Sequence, residues 1–382
     1  MKSSKQRKKI NLKNLPGLLL PLLLGAACGV LMGMFLESGE DQSLFEIIFS
    51  LFGLFVGMYA AIAVQMIIHE AGHLVFGLIS GYTFSSFRIF SMMFMKKDGR
   101  IIRKKLSIAG TGGQCLMAPP DLQNGKMPVA LFNLGGSIMN LIASAVFFLL
   151  ALALKNAAFF SSLFNIFALV GVMLALTNGI PMRMGTVDND GYNAFSLSKN
   201  PAAIRAFWVQ LKVSDEQAKG VRLKNMPEEW FYLPTDEEMK NSIIAVMGVF
   251  YENRLMDDGR FAEAASLISH LLSIDSGIAG LHKGLLLCDQ AYIALIQSNG
   301  ETVPEVIHAP AQKKLMKAMK NFPSVIRTEY AFSLLHEKNA EKAQKIRDRF
   351  EKIAETYPYA SDIGSEMELI EKAEACASRI KE

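Results

Sequence analysis

The sequence AVQMIIHEAGHLVF at positions 63–76 places three ionisable side chains, His69, Glu70 and His73, inside an apolar run. The run extends from residue 45 to residue 79, and as a single helix it would be about 50 Å long at ~1.5 Å per residue. This length exceeds the ~30 Å hydrocarbon core of a bilayer. Ionisable groups are costly in a membrane helix and usually mark a functional site. The stretch therefore predicts a long membrane helix that carries a site.

Three further apolar runs accompany this one in the first half of the 382-residue chain. We predict membrane spans at 18–36, 129–154 and 157–176 in addition to 45–79, since a helix needs about 20 apolar residues to cross a bilayer. Hydrophobic residues make up 51% of the chain and charged residues 20%, which argues against a single ordinary soluble domain. We expect a membrane-embedded domain with about four spans.

Lysine and arginine are concentrated before residue 14 and between residues 88 and 126, whereas the loop at 37–41 is acidic. The positive-inside rule therefore places both termini and the 81–128 loop in the cytoplasm. We expect an integral protein of a bacterial cell membrane with the lipid bilayer as its surroundings. The net charge of +4 is modest, and no broad basic face indicates a nucleic-acid partner.

The 81–128 loop contains two segments in which apolar and polar residues alternate. They lie at 84–90 and 100–108, and Lys97-Asp98-Gly99 stands between them. Alternation with a period of two is typical of half-buried strands, and Asp-Gly favours a tight turn. The loop therefore predicts a small cytoplasmic β-hairpin.

Histidines four residues apart lie on one face of a helix, so His69 and His73 can direct two imidazole nitrogens at one metal ion. A glutamate beside the first histidine can reach a water molecule at that metal. A catalytic zinc site needs a third protein ligand. Asp188 and Asp190 follow the last predicted span, where the chain returns to the side on which the His69 helix ends, and one of them is the most economical third ligand.

Two motifs in the first half resemble those of the site-2 protease family of intramembrane zinc metalloproteases. One is the His-Glu-x-x-His motif at 69–73, and the other is an Asn-x-x-Pro…Asp-Gly segment formed by Asn178, Pro181 and Asp190-Gly191. The resemblance covers residues 45–195. It implies one Zn²⁺ per chain held by His69, His73 and Asp190, with Glu70 as the general base.

The same resemblance implies cleavage of peptide bonds in or near a transmembrane segment of a membrane protein or a peptide precursor. Gly135-Gly136 and Asn140 also resemble a family motif, although close packing between helices explains them equally well. Two other functions fit the residues. One is a catalytically silent membrane scaffold, and the other is a membrane metalloprotease that trims soluble peptides.

The second half of the chain has helical periodicity and helix-breaking residues, and we assign residues 1–199 to the membrane domain and 200–382 to a cytoplasmic domain. Asn200-Pro201 is a typical helix start. The segments 259–264 and 338–343 resemble the junction between the two helices of a tetratricopeptide unit. An α-helical repeat-like domain of this kind could bind a cytoplasmic peptide or protein, or could be a packed helical cap without a ligand. The expected fold class is mainly α.

Overall fold

The computed structural model describes residues 22, 25–30, 33, 43–108, 111–182, 188–198 and 200–381. The described chain is mainly helical with one small antiparallel sheet, which confirms the expected class. The predicted span at 18–36 lies largely outside the described residues. Those of its residues that are described, 22, 25–30 and 33, are helical.

Within the described part of the chain, three helices are long and apolar enough to cross a membrane. They are α1 (Leu44–Ile79), α2 (Ala130–Ala153) and α3 (Ala158–Gly179). The helix α1 is continuous over 36 residues, so the long apolar run does not break. It begins with a capping box, in which the Ser43 backbone N–H and hydroxyl both donate to the Glu46 carboxylate over 2.8 Å.

The chain divides into two compact units. The first contains residues up to 76 together with 130–184 and 189–194. In it, α1 is bonded to α3 by the Gln65 Nε2, which donates to the carbonyl of Phe167 over 3.0 Å. Leu54 of α1 and Ile166 of α3 are fully buried in one apolar cluster. Polar bonds and apolar packing thus join the membrane helices.

The loop after α1 forms four strands rather than one hairpin. These are β1 (Thr83–Ile89), β2 (Met92–Lys97), β3 (Arg100–Lys105) and β4 (Gly113–Ala118), in the spatial order β3-β2-β1-β4. The sequence-based pairing of the first and last alternating segments was wrong, because β2 lies between them.

The Asp98-Gly99 turn is correctly placed and joins β2 to β3. Both of its residues have positive φ, 49° and 76°, as a two-residue hairpin turn requires. The sequence does not predict strand β2, because its first four residues are all apolar and do not alternate with polar ones. Met93 is buried, whereas Met92 and Phe94 are exposed.

The second unit contains residues 77–129, 185–188 and 195–382, so the strands belong with the later helices and not with the membrane helices. The sequence-based division at residue 200 assigned the strands to the membrane domain. The physical reason for the difference is that the sheet buries Met93 in an apolar cluster with Tyr357. The Trp208 Nε1 also donates to the carbonyl of Pro120 over 3.0 Å.

The remaining helices begin with a short helix, α4, and follow in chain order. They are α4 (Asp190–Leu197), α5 (Pro201–Lys219), α6 (Ser242–Asp257), α7 (Phe261–Ser273), α8 (Gly280–Gln297), α9 (Pro310–Ala318), α10 (Pro323–Ala331), a π-helical segment (Phe332–His336), α11 (Ala340–Ala354) and α12 (Ala360–Lys381).

The predicted helix start at Asn200-Pro201 is confirmed, because the Asn200 side chain accepts a bond from the Ala203 N–H over 3.2 Å. A helical hairpin is present at 259–264, where Gly259 turns the chain between α6 and α7 with a φ of 72°. The tetratricopeptide assignment stays a prediction.

The second unit encloses several charged side chains. Arg327 is fully buried and forms ion pairs with Asp289 and Glu366. Burial raises the pKa of Glu366 to about 7, and burial raises the pKa of Asp362 to about 7 as well. At a pH between about 4 and 7, the Asp362 and Glu366 carboxyl groups are therefore protonated to a greater extent in the folded unit than in an unfolded chain.

These two carboxyl groups predict that the unit loses stability as the pH rises. Between about pH 4, near the pKa of an unfolded carboxyl group, and pH 7, the folded state binds more protons than the unfolded chain. The stability that they contribute is present below this window and is lost through it. We expect the unfolding temperature to fall from pH 5 to pH 8, and to fall less in the double variant Asp362→Asn, Glu366→Gln.

Tryptophan fluorescence measures this unfolding, because both tryptophans of the chain, Trp208 and Trp230, lie in the second unit. The matched control is Asp348→Asn, Glu351→Gln at two exposed positions of the same unit. Equal pH dependence in the two double variants would contradict the prediction.

Candidate metal centre

The helix α1 places His69 and His73 one turn apart with both imidazoles buried. Their Nε2 atoms lie 3.2 Å from each other. Glu70 is also buried and interacts electrostatically with the His73 ring. His69, Glu70 and His73 thus lie inside the protein and not on the exposed surface of its apolar helices.

Asp190 is the first residue of α4 and brings a carboxylate to the same point. Its Oδ2 lies 3.0 Å from the His69 Nε2 and 3.3 Å from the His73 Nε2. These three residues form a group, within the described chain, that could hold a metal ion. All three belong to the first compact unit.

The separations among the three ligand atoms suit a tetrahedral ion. For metal–ligand bonds of ~2.0–2.1 Å, two ligands of a tetrahedral ion lie about 3.3 Å apart. The observed separations are 3.0, 3.2 and 3.3 Å. Three protein ligands also leave one position of a tetrahedron open for water or substrate.

Hydrogen bonds on the far side of each ring determine which imidazole nitrogen faces the centre. The Nδ1 of His73 lies 2.7 Å from the carbonyl oxygen of Phe132, and because a carbonyl only accepts, Nδ1 is the donor. The Nδ1 of His69 lies 2.7 Å from the Oδ1 of Asn140. A neutral imidazole with a proton on Nδ1 presents an unprotonated Nε2 to a metal.

The orientation of the Asn140 amide follows from its other partners. The Nδ2 of Asn140 donates to the backbone carbonyl of Gln65 over 2.8 Å and to the Gln65 Oε1 over 2.8 Å. The amide nitrogen is therefore fixed on that side, and the Oδ1 must accept from His69. Gln65 is fully buried and is itself bonded to α3, so the three long apolar helices share one polar network.

With both rings in the neutral form, three acceptor atoms would meet with no donor between them. Two unprotonated ring nitrogens and a carboxylate oxygen within about 3 Å repel one another unless a cation or a proton lies among them. A metal ion among these atoms would remove that repulsion, so the residues fit a metal.

Gly136 leaves the space that the His69 ring needs, and Gly72 allows the backbones of α1 and α2 to approach each other. A Cβ atom at Gly136 would lie 2.5 Å from the His69 Cε1, a distance that real Cβ contacts do not show. One turn further along α1, a Cβ at Gly72 would lie 2.4 Å from the carbonyl oxygen of Gly135. The Gly135-Gly136-x-x-x-Asn140 pattern therefore brings the helices together, as the packing interpretation expects, and it also contacts His69, whose role in metal binding stays a prediction.

Asn189 fixes the backbone next to the candidate third ligand, Asp190. Its side chain donates to the carbonyls of Thr177 and Ile180, over 2.7 and 2.6 Å, and accepts from the Tyr192 N–H over 2.9 Å. These bonds tie the end of α3 to the start of α4. No motif singled out this asparagine, because its partners are backbone atoms that the chain brings near it only when folded.

Of the two aspartates that the sequence offered, the structure brings Asp190 to the histidines. Asp188 instead accepts a hydrogen bond from the Ser242 hydroxyl in the second unit. Asn178, the first residue of the second motif, donates to the Leu174 carbonyl within its own helix over 3.0 Å. Metal ligation by His69, His73 and Asp190 stays a prediction with a geometry that suits it.

Comparisons with protein-family models, with curated proteins and with solved structures find no match for this chain. Support for a metal centre therefore comes from the geometry of the chain's own residues.

Replacement of the two aspartates tests which of them binds the metal. We expect Asp190→Ala to lose most of the bound metal, because only two ligands would remain, and Asp188→Ala to retain about one ion per chain. Mass spectrometry of metals in the purified protein measures this content. Retention in Asp190→Ala with loss in Asp188→Ala would reverse the assignment.

Replacement of Asn140 tests the hydrogen bond behind His69. We expect Asn140→Ala to weaken metal binding about 10- to 100-fold, the range usual for partners of metal-bound histidines. Competition with a fluorescent zinc chelator gives the affinity. Asn165→Ala is the matched control, since Asn165 lies on α3 and has no bond to the site. Equal affinities in the two variants would show that Asn140 does not orient the ring.

Proposed function

We propose that this protein is a zinc-dependent intramembrane endopeptidase of the site-2 protease type, which cleaves peptide bonds in or near transmembrane segments. One observation carries the proposal: two imidazoles and a carboxylate meet at tetrahedral spacing within a bundle of helices long and apolar enough to cross a membrane. The glutamate that such chemistry needs is next to the first histidine, and it is buried with it.

Zinc suits this donor set because two nitrogens and one carboxylate oxygen are among its usual ligands in catalytic sites, where the fourth position stays open. Bound there, zinc would supply a Lewis acid that polarises a carbonyl group and lowers the pKa of a coordinated water. A negative ligand such as Asp190 also offsets part of the ion's charge in an apolar environment.

Glu70 would act as the general base. Its carboxylate takes a proton from the attacking water and gives a proton to the amine that leaves when the peptide bond breaks. Burial among apolar helices limits competing water around these groups. Asn140 and the Phe132 carbonyl would keep the two imidazoles in position during these transfers.

The proposed substrate is a membrane protein or a peptide precursor with an apolar spanning segment. A helix hides its backbone carbonyls in internal hydrogen bonds, so the substrate must unwind locally before it can be cleaved. The proposed location is a bacterial cell membrane, and the lysine and arginine distribution favours placing both termini in the cytoplasm.

Replacement of Glu70 by glutamine tests the role of the base. The amide keeps the shape of the side chain but accepts no proton, so we expect bound zinc near the normal content and a loss of cleavage of at least about 10²-fold. Glu46→Gln is the matched control on the same helix, because glutamine preserves the capping box. Normal cleavage by Glu70→Gln would contradict the mechanism.

The substrate class is tested with three fluorescence-quenched peptides and the protein in proteoliposomes. The first has an apolar segment of about 20 residues interrupted by Gly-Pro, the second has an uninterrupted Leu/Ala segment, and the third has no apolar segment. We expect the first to be cleaved fastest, because it unwinds most easily. Cleavage of the third alone would indicate trimming of soluble peptides, and zinc binding without any cleavage would indicate a silent scaffold.

A further inference from the structure

The helices of the second unit form a groove that lies outside the candidate metal centre. It has a volume of about 480 Å³ and is bounded by α9, α10, the π-helical segment and α11. Its floor is apolar and includes Ile307, Met316, Phe332 and Ile346. Ligand-binding clefts commonly have volumes of ~300–1,000 Å³, so the groove is large enough for several side chains.

One wall of the groove carries three lysines, on α9 and on the turn that follows it. Lys313 and Lys317 are four residues apart on one face of α9, and Lys320 lies in the turn after the last helical residue, Ala318. All three are exposed. Among the described residues, no carboxylate forms an ion pair with any of them. Three unneutralised positive charges thus border an apolar floor.

The sequence around this wall contains no carboxylate that could neutralise the lysines. Between Glu305 and Glu329 the chain has no acidic residue, although it contains four lysines. The opposite wall adds Lys342 and Arg349, which are paired with Glu337 and Glu329. The groove therefore has a surplus of positive charge on the α9 side and balanced charge on the α11 side.

A local change of helix type shapes the floor. The chain is π-helical at Phe332–His336, and the Phe332 ring lies 6.0 Å from the ring of His308 and 5.1 Å from that of His336, between centroids. Single π-helical turns frequently occur at functional sites. Here the segment sets a partly buried aromatic ring at the bottom of a basic groove.

We propose that this groove binds an acidic peptide segment of a partner protein, with apolar side chains of that segment on the floor. Carboxylates of the peptide would pair with Lys313, Lys317 and Lys320. A concave surface with recessed apolar residues suits an inserted peptide better than a bilayer, which contacts exposed and convex apolar faces. The inference is independent of the proposed metal chemistry.

The test measures fluorescence anisotropy of a fluorescein-labelled peptide of about twelve residues with the full chain in phosphatidylcholine nanodiscs. The peptide contains Glu, Asp, Leu and Phe, and a second peptide has every acidic residue replaced by Lys. We expect the acidic peptide alone to bind, and its affinity to fall as salt is added. Failure of the acidic peptide to bind would overturn the proposal.

Two triple variants with the same change in net charge separate the groove from general charge effects. The groove variant is Lys313→Glu, Lys317→Glu, Lys320→Glu, and the control is Lys314→Glu, Lys345→Glu, Lys352→Glu at exposed positions outside the groove. We expect the groove variant to lose at least about tenfold in affinity and the control less than about twofold, with unchanged circular dichroism. Equal losses in both would overturn the proposal.

A membrane is the competing occupant, and lysine acetylation in nanodiscs distinguishes it. If phosphatidylglycerol nanodiscs protect Lys313, Lys317 and Lys320 from acetylation and the acidic peptide does not, the groove belongs to the lipid surface and the proposal is wrong. If the peptide protects the three lysines in phosphatidylcholine nanodiscs, the proposal is supported.

Discussion

The hydrogen bond between the His69 Nδ1 and the Asn140 Oδ1 is the interaction on which the candidate metal centre depends. A polar side chain inside an apolar bundle is costly unless it has a partner, and here each partner is itself bonded to another helix. Gln65 fixes the Asn140 amide, and Asn140 in turn fixes the ring. One directional network therefore determines both the helix arrangement and the nitrogen that faces the centre.

This network requires the backbones of α1 and α2 to be close. Gly72 and Gly135 allow that approach, and packing through small residues is the usual way in which membrane helices associate. Asn189 then ties α4 to the end of α3, which sets Asp190 at a fixed distance from both histidines. Local sequence supplies the candidate ligands, whereas contacts between helices place them.

The sequence was sufficient for features that local patterns encode. The three membrane helices within the described residues, the Asp98-Gly99 turn and the helix start at Asn200 all follow from periodicity or from capping residues. The sequence does not predict strand β2, because the strand begins with apolar residues on both faces. It also does not predict that the sheet groups with the later helices. That grouping arises from burial of Met93 with Tyr357, over 260 positions away, which no local pattern reveals.

The candidate site shows the same distinction between local pattern and distant contact. The spacing of His69 and His73 and the Asp190-Gly191 pair are visible in the sequence, and the structure brings these three polar side chains together. The roles of Gln65, the Phe132 carbonyl and Asn189 are not visible, because their bonds join residues of different helices or bond backbone atoms.

The contact between Gly136 and the His69 ring also limits how this chain can diverge. As long as an imidazole occupies that place, any side chain at 136 requires the ring to move, since even a methyl group would overlap it. A homologous chain that has lost His69 is released from this restriction and can accumulate alanine or serine there. Replacement of this glycine in a divergent homologue would therefore indicate that the histidine ring has moved or has been lost.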